Sequence, residues 1–150
     1  MPYSRSFVAP RENCSLGIRE QGNMATSFMD GSQIYGNDKD QATNLRAFQN
    51  GMLKHRPISN RLELLPPLIS NKSCNSPNQI QQPCFASGSS WTNMLPPGLA
   101  IHTLWLRQHN RLAKELKRLN PHWDDERLYQ ESRRVGTFKK FWSTFTTSFF

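Results

Sequence analysis

Four residues in the first quarter of the chain place oxygen atoms at alternate positions: Thr26, Phe28, Asp30 and Ser32. Hydroxyl, main-chain carbonyl and carboxylate oxygens are the ligands of Ca²⁺, which takes roughly six to eight of them. Because only Asp30 is anionic, residues 26–32, the oxygen loop, need another carboxylate from elsewhere for tight binding. On spacing alone, the preferred interpretation is that Asp30 or Ser32 caps a helical turn ending near Tyr35.

A stripe of basic residues recurs at spacings of 4, 3 and 4: Arg107, Arg111, Lys114 and Arg118. With a net charge of +8, the stripe could follow phosphates. Most such stripes are solvated helix faces, and no nucleic-acid-binding motif accompanies this one, so no nucleic-acid partner is expected. His102 and His109 are seven residues apart, whereas metal-binding histidines on a helix are usually about four apart. They are therefore expected to be hydrogen-bonded core or interface residues.

Three helices are predicted to position these residues. The clearest covers about Gly98 to Asn120, where apolar residues recur with a helical period. A second begins at the N-cap Asp124 and is expected to end near Arg134. A third is expected from Asp38, with Gln41 completing a capping box, to Gly51 as a C-terminal stop.

The rest of the sequence predicts turns and loops. Residues 52–65 favour a weak hairpin around a turn at residues 57–60, and residues 70–90 favour a polar surface loop. The predicted fold class is therefore mainly α, with long loops and at most a short hairpin.

Composition excludes some classes of protein. Hydrophobic residues make up 36% of the 150, against roughly 45 to 50% apolar residues, glycine included, in ordinary domains. No stretch approaches the roughly 20 apolar residues of a membrane-spanning helix, so no membrane span is expected. The N-terminal residues 1–6 lack the apolar core of a secretory leader, and no signal peptide is expected in this chain.

Other features favour an extracellular setting. Asn71 and Asn13 begin N-glycosylation sequons, although such sequons also occur by chance. Cys74 and Cys84 bracket a polar segment that a disulfide could close, and buried thiols are the alternative. A bridge between them would leave Cys14 without a partner in this chain.

Several segments together resemble the animal haem peroxidase family, whose motifs they follow in order and spacing. They are residues 19–21 (REQ), 26–36 (TSFMDGSQIYG), 44–46 (NLR), 83–85 (PCF), 102–113 (HTLWLRQHNRLA), 119–123 (LNPHW) and 128–131 (LYQE). The resemblance covers about residues 7 to 134. It predicts a partial peroxidase domain over residues 1–134 and a divergent segment rich in Phe and Thr over residues 135–150, expected to be disordered or to reflect an altered gene model.

The resemblance implies a mainly helical, secreted glycoprotein with a disulfide, a bound calcium ion and a haem. Such a protein reduces hydrogen peroxide while oxidising a small reducing substrate, an activity linked to the response to oxidative stress. Thr26, Phe28, Asp30 and Ser32 match the family's calcium loop, Phe28 through its carbonyl, which reverses the preference drawn from spacing alone. Cys74 and Cys84 match a local disulfide of the family.

Two departures from the family pattern concern catalysis. Trp91 stands where the family has the distal arginine, and Met94 where it has a glutamate that can form an ester to haem. The distal and proximal histidines are expected in segments before residue 1 and after residue 150, and neither His102 nor His109 matches them. The chain alone is therefore expected to be inactive and to hold no stable haem. The alternative is a catalytically inactive pseudo-peroxidase that acts as a secreted interaction module.

Overall fold

The computed structural model describes residues 8–9, 17–18, 20–22, 26, 28, 30–59, 62–68 and 84–147, with the backbone alone at 59, 62, 90 and 138–147. This part of the chain is mainly helical with one two-stranded antiparallel sheet, which confirms the predicted fold class. Its elements are α1 (Ser32–Tyr35), α2 (Lys39–Leu45), β1 (Arg56–Ser59), β2 (Leu62–Leu64), a 3₁₀ helix (Ser90–Asn93), α3 (Pro96–Leu119) and α4 (Asp125–Thr147). No described helix is long and apolar enough to cross a bilayer.

Helix α3 lies within a residue or two of its predicted bounds. It begins at Pro96 rather than Gly98, because proline suits the first helical position, where no intrahelical N–H bond is needed. It ends at Leu119, and the N–H of the C-cap residue Asn120 still reaches the carbonyl of Leu116 at 2.8 Å. Its buried face carries both apolar and polar side chains: Thr103, Leu106, His109, Asn110 and Ala113.

Helix α4 begins as predicted, because the Asp124 carboxylate accepts the Arg127 N–H at 2.9 Å. Its predicted end near Arg134 is wrong: the helix continues to Thr147. No proline interrupts residues 135–147, and Gly136 lies inside the helix, where a side chain would come within 3.2 Å of the Tyr35 hydroxyl. The assignment of residues 135–150 to a divergent segment stays a prediction.

Helix α2 also begins as predicted, with the Asp38 carboxylate accepting the Gln41 N–H at 2.7 Å. Its predicted end at Gly51 is wrong, since the helix ends at Leu45. The chain then folds back in a turn that pairs Arg46 with Leu53. Three residues of this turn have positive φ: Phe48 at 55°, Asn50 at 52° and Gly51 at 70°.

The predicted hairpin is confirmed, with its turn displaced. Arg56 pairs with Leu64 in antiparallel register, and the register shifts between Pro57 and Ser59. Pro57 therefore lies within β1 rather than in the turn, as is possible in a two-stranded sheet whose outer edge needs no N–H donor.

A buried amide joins the hairpin to α3. Asn110 is fully buried; its Oδ1 accepts the Leu53 N–H at 2.9 Å, and its Nδ2 donates to the Leu53 carbonyl at 3.3 Å and to Glu63 Oε2 at 3.0 Å. Partial burial raises the pKa of Glu63, but hydrogen bonds from Lys114 and Asn110 outweigh it and hold this pKa below its usual value. The apolar core lies beside this amide and comprises Ile34, Tyr35, Leu45, Leu53, Leu65, Leu106 and Tyr129.

Candidate active-site segment and oxygen loop

Residues 84–95, the active-site segment, form a closed loop leading into α3. The Asn93 side chain closes it, because its Oδ1 accepts the Phe85 N–H at 2.9 Å and its Nδ2 donates to the Phe85 carbonyl at 2.8 Å. Ser89 caps the 3₁₀ helix by accepting the Trp91 N–H at 3.3 Å. The backbone of this segment is thus fixed by its own side chains.

Trp91 and Met94, the two departures from the family pattern, both face solvent, with 71% and 44% of their surfaces exposed. Thr92 between them is buried, donates its hydroxyl to the Ser89 carbonyl at 2.9 Å and hydrogen-bonds the Ser87 hydroxyl. The buried threonine therefore anchors the turn, while the two positions expected to carry chemistry present an indole and a thioether at the surface.

Gly88 holds the active-site segment directly against the backbone of α1. A Cβ atom on Gly88 would lie 2.3 Å from the Ser32 carbonyl oxygen and 2.5 Å from the Gly36 nitrogen. Such distances are below any real contact, so only glycine permits this approach. Ser32 thus belongs to the oxygen loop and also contacts the active-site segment.

Two hydrogen bonds join backbone N–H groups of the oxygen loop to side-chain oxygens of the same loop. The Phe28 N–H donates to Thr26 Oγ1 at 3.1 Å, and the Ser32 N–H donates to Asp30 Oδ1 at 3.0 Å. Gly31, with φ of 71°, turns the loop into α1. Asp30 therefore accepts a hydrogen bond at the start of the helical turn, near the capping role that spacing alone suggested, while the N-cap position itself is Gly31. This role is compatible with metal binding, because an ionised carboxylate has about four lone-pair sites.

Arg133 of α4 lies beside the only carboxylate of the loop. Its Nη2 is 3.4 Å from the Asp30 carbonyl oxygen and 3.9 Å from Asp30 Oδ2, and its guanidinium lies 5.2 Å from the centre of the Tyr35 ring. Arg133 is a residue of the candidate site that was not predicted from the sequence. No local pattern could have revealed it, since 103 positions separate it from Asp30.

The loop fits calcium in the type of its donors, which are all oxygen. The charge it supplies is a single carboxylate, and Arg133 partly neutralises it. Among the described residues, no group of three or more His, Cys, Asp or Glu side chains could hold a metal ion.

His109 is a buried structural residue, as predicted. Its Nε2 lies 2.9 Å from the Gly51 carbonyl, which can only accept, so this nitrogen carries the hydrogen and donates. Its Nδ1 then accepts from the Tyr35 hydroxyl at 3.0 Å. Burial is the main effect and lowers the pKa of His109 to about 4, against the opposing hydrogen bond to Gly51. With both nitrogens occupied, this histidine cannot ligate haem iron in this fold.

His102, half-buried, lines a small apolar cavity with Ala86 and Ser87 of the active-site segment. Neither it nor the half-buried His55 nor the exposed His122 lies within that segment. Residues 84–95 thus contain no histidine, and their Trp91 and Met94 offer no guanidinium or carboxylate. This segment does not fit the haem contacts that the resemblance implies.

The basic stripe of α3 is partly paired with β2. Lys114 forms an ion pair with Glu63 at 2.7 Å, and Arg107 donates to the Glu63 carbonyl at 2.7 Å. Arg118 pairs with Glu115 at 3.0 Å. The pairing with Glu63 has no local signal in the sequence, because the approach of β2 to α3 depends on tertiary structure. The absence of a nucleic-acid partner stays a prediction.

Several predicted sites lie outside the described residues: Asn13, Cys14, Asn71 and Cys74. Cys84 is described and half-buried. Glycosylation at Asn71 and the pairing of Cys74 with Cys84 stay predictions.

Comparison with known proteins gives a consistent result. The family model for animal haem peroxidase matches residues 1–137. The chain is 44% identical to the chorion peroxidase of Aedes aegypti over 131 residues, which is 87% of this chain and 16% of that protein. It is 43% identical to the myeloperoxidase of Homo sapiens over 142 residues, which is 90% of this chain and 19% of that protein.

Among solved structures, peroxidase A from Dictyostelium discoideum superimposes with a TM-score of 0.68 at 36% sequence identity, covering 79% of this chain and 24% of that one. The chain therefore spans under a quarter of the length of each of these relatives. Sequence and fold agree over most of its own length, and the chain belongs to the animal haem peroxidase family.

Proposed function

We propose that this chain is part of a haem-dependent peroxidase that reduces hydrogen peroxide and oxidises a small reducing substrate, and that the 150-residue polypeptide alone does not turn over. Membership of the family over residues 1–137 supports the first half. The second half rests on one observation: the positions of the distal arginine and the ester-forming glutamate hold the exposed Trp91 and Met94.

The chemistry of these two side chains explains the expected loss. Haem, when bound in the family, supplies the peroxide reduction, and a guanidinium stabilises charge developing on oxygen. Indole offers one neutral N–H donor where a guanidinium offers five charged ones. Loss of one preorganised donor of this kind costs about 10² to 10³ in rate. The thioether of Met94 cannot form an ester.

Incubation of the polypeptide with haemin tests this proposal. We expect no Soret band beyond that of free haemin, and no peroxide-dependent oxidation of a phenol above the free-haemin rate, because no histidine of this chain matches the distal or the proximal histidine of the family and the distal arginine position holds Trp91. Absorbance between 350 and 450 nm (roughly the Soret region) and initial rates are measured for the parent chain and for His55→Ala, His102→Ala and His122→Ala. A band that one of these variants removes, accompanied by turnover, would contradict the proposal.

A secreted, non-catalytic interaction module is the second candidate. It is favoured by exposed apolar side chains at the start of α3 and before it: Trp91, Met94, Leu95, Ile101 and Leu104. Restoring the guanidinium by Trp91→Arg in a longer polypeptide that includes both haem histidines separates the two candidates. Recovered peroxidase activity supports a decayed enzyme, and unchanged inactivity supports the module.

We also propose an extracellular setting, with glycosylation at Asn71 and a disulfide between Cys74 and Cys84. The disulfide is supported by the resemblance, in which both cysteine positions match a local disulfide of the family. Closing such a short loop stabilises a protein by about 3 kcal/mol on the chain-entropy account.

We propose calcium as the ligand of the oxygen loop, bound weakly because Asp30 is its single carboxylate. A dissociation constant of about 10⁻³ M or weaker is expected. At tenfold excess over that constant, calcium should stabilise the fold by about 1.4 kcal/mol. Urea unfolding with and without CaCl₂ measures this shift.

The matched variants for this prediction are Asp30→Asn and Asp40→Asn. Asp40 is exposed in the first turn of α2 and is not part of the loop, so its variant controls for lost charge. The calcium-dependent shift should vanish in Asp30→Asn and persist in Asp40→Asn. Equal shifts in the two variants would rule out the loop as the binding site.

A further inference from the structure

We propose two roles for the Arg133 guanidinium at the oxygen loop. In the absence of metal it holds the loop against α4, and when calcium is present it competes with the metal ion for Asp30. The second half of this inference rests on the proposed calcium function. The first half does not, because it concerns the metal-free chain.

The Arg133 guanidinium lies close to two oxygen atoms of Asp30. Arg133 Nη2 lies 3.4 Å from the Asp30 carbonyl and 3.9 Å from Asp30 Oδ2, while Asp30 Oδ1 accepts the Ser32 N–H. The guanidinium also lies over the Tyr35 ring, which orients its plane. Arginine and aspartate are each about one-third exposed, so solvent only partly screens the pair.

Other residues of α4 approach the same loop. Thr137 Oγ1 is 3.3 Å from the point where a side chain on Gly31 would begin. This hydroxyl is buried and has no hydrogen-bond partner among the described residues. One face of α4 therefore packs against residues 30–31, and Arg133 provides the charged contact on that face.

The positive charge of Arg133 determines whether this residue strengthens or weakens calcium binding. Asp30 and Arg133 together carry no net charge, so a divalent cation arriving at the loop meets one carboxylate and one nearby guanidinium. Two like charges a few ångströms apart repel appreciably even at an effective dielectric constant of about 20. Removing the guanidinium should therefore loosen the metal-free loop and, at the same time, tighten calcium binding. A residue with a merely structural role would weaken both.

The test compares Arg133→Gln with Arg134→Gln. Both variants remove one positive charge from α4 at neighbouring positions, but the Arg134 side chain is 81% exposed and pairs with Glu131 within its own helix. Hydrogen exchange is followed at the amides of Ser32 and Ile34 in a chelating buffer, and Ca²⁺ affinity is then measured by calorimetry.

In Arg133→Gln we expect exchange at these amides to be at least tenfold faster, and the Ca²⁺ dissociation constant at least fivefold lower, than in Arg134→Gln. Equal exchange in the two variants would overturn the inference, as would weaker calcium binding by Arg133→Gln. A third outcome is faster exchange in Arg133→Gln while neither the parent chain nor any variant binds calcium. That outcome would refute both calcium binding by the loop and competition between Arg133 and calcium, but it would support the role of Arg133 in the metal-free chain.

A reciprocal variant protects this test against misfolding. Asp30→Asn removes the charge from the other side of the contact and should accelerate exchange to a similar extent. If the contact is the cause, the double variant should exchange no faster than either single variant. Additive effects would show that Arg133 acts on the loop through some other contact.

Discussion

Replacing Gly51 with alanine is expected to destabilise the protein by about 3 kcal/mol, the sum of backbone strain and overpacking. Gly51 has φ of 70°, a left-handed conformation that an L side chain adopts at a cost of about 1 to 2 kcal/mol. An added Cβ would also lie 2.6 Å from the Tyr129 nitrogen and 2.7 Å from the Leu128 carbonyl carbon. Backbone cannot rotate away as a side-chain end can, so α4 must shift. Urea unfolding followed by far-UV circular dichroism measures the change.

Gly98→Ala is the matched control. Gly98 lies within α3, and its added Cβ would meet the Thr92 carbonyl oxygen at 3.8 Å, an ordinary contact, with no closer atom of another segment among the described residues. Alanine is favoured over glycine inside a helix by roughly 0.5 to 1 kcal/mol, so this variant should be slightly more stable. Similar losses in the two variants would mean that the packing of Gly51 on α4 has little energetic weight.

The large effect expected at Gly51 follows from its position between two helices. Its N–H donates to Asp125 Oδ1 at 2.6 Å at the start of α4, and its carbonyl accepts from His109 of α3. Asp125 also pairs with Arg46 at 2.8 Å, whose guanidinium lies 4.1 Å from the Tyr129 ring centre. Partial burial lowers the pKa of Arg46, but hydrogen bonds to Glu126 and Asp125 outweigh it and raise that pKa overall. One glycine thus connects α3, α4 and the turn after α2.

Gly51 also illustrates which helix boundaries could be predicted from the sequence and which could not. Gly51 was predicted as the C-terminal stop of α2, but that helix ends six positions earlier, at Leu45, and the positive φ of Gly51 belongs to the turn that follows. Helix starts were predicted better, because the capping side chains Asp38 and Asp124 act within four residues of themselves. The end of α2 is decided instead by the pairing of Arg46 with Leu53 and by contacts with α4. These partners are distant in sequence.

In the candidate site, too, the local features could be predicted from the sequence and the long-range contacts could not. The turn at Asp30 could be predicted from the sequence, since the Asp30 carboxylate bonds the N–H of a residue two positions away, whereas calcium binding by the loop stays a prediction. Two contacts had no local signal: the guanidinium of Arg133 beside Asp30, and the approach of Gly88 to the backbone of Ser32. Each joins segments more than fifty residues apart, so each needed the packed structure to become visible.

Stability should fall as the pH is lowered from about 6.5 to 4, and His109 should be the main cause. The pKa of this histidine is lowered from 6.5 to about 4 in the folded chain, mostly by burial, with the hydrogen bond to Gly51 opposing and the charge of Arg46 adding to the shift. The folded state thus keeps the imidazole neutral where the unfolded state already binds a proton. The stabilising contribution is complete above pH 6.5 and is lost as the pH falls towards 4.

The expected loss is about 3 kcal/mol, from ~2.5 pH units at ~1.36 kcal/mol per unit. Urea unfolding at intervals between pH 7 and pH 4 measures it. His109→Gln should abolish most of the slope in this window, and His122→Gln, at an exposed position, should retain it. The pKa of Glu63 is lowered because its hydrogen bonds outweigh the effect of burial. The pKa of Glu126 is lowered chiefly by hydrogen bonds from Gln130 and Arg46. The stability that these two carboxylates contribute is therefore lost only at pH values below their ordinary pKa of 4.5, towards the acid end of this window. A slope unchanged in His109→Gln would show that His109 is not the group that titrates.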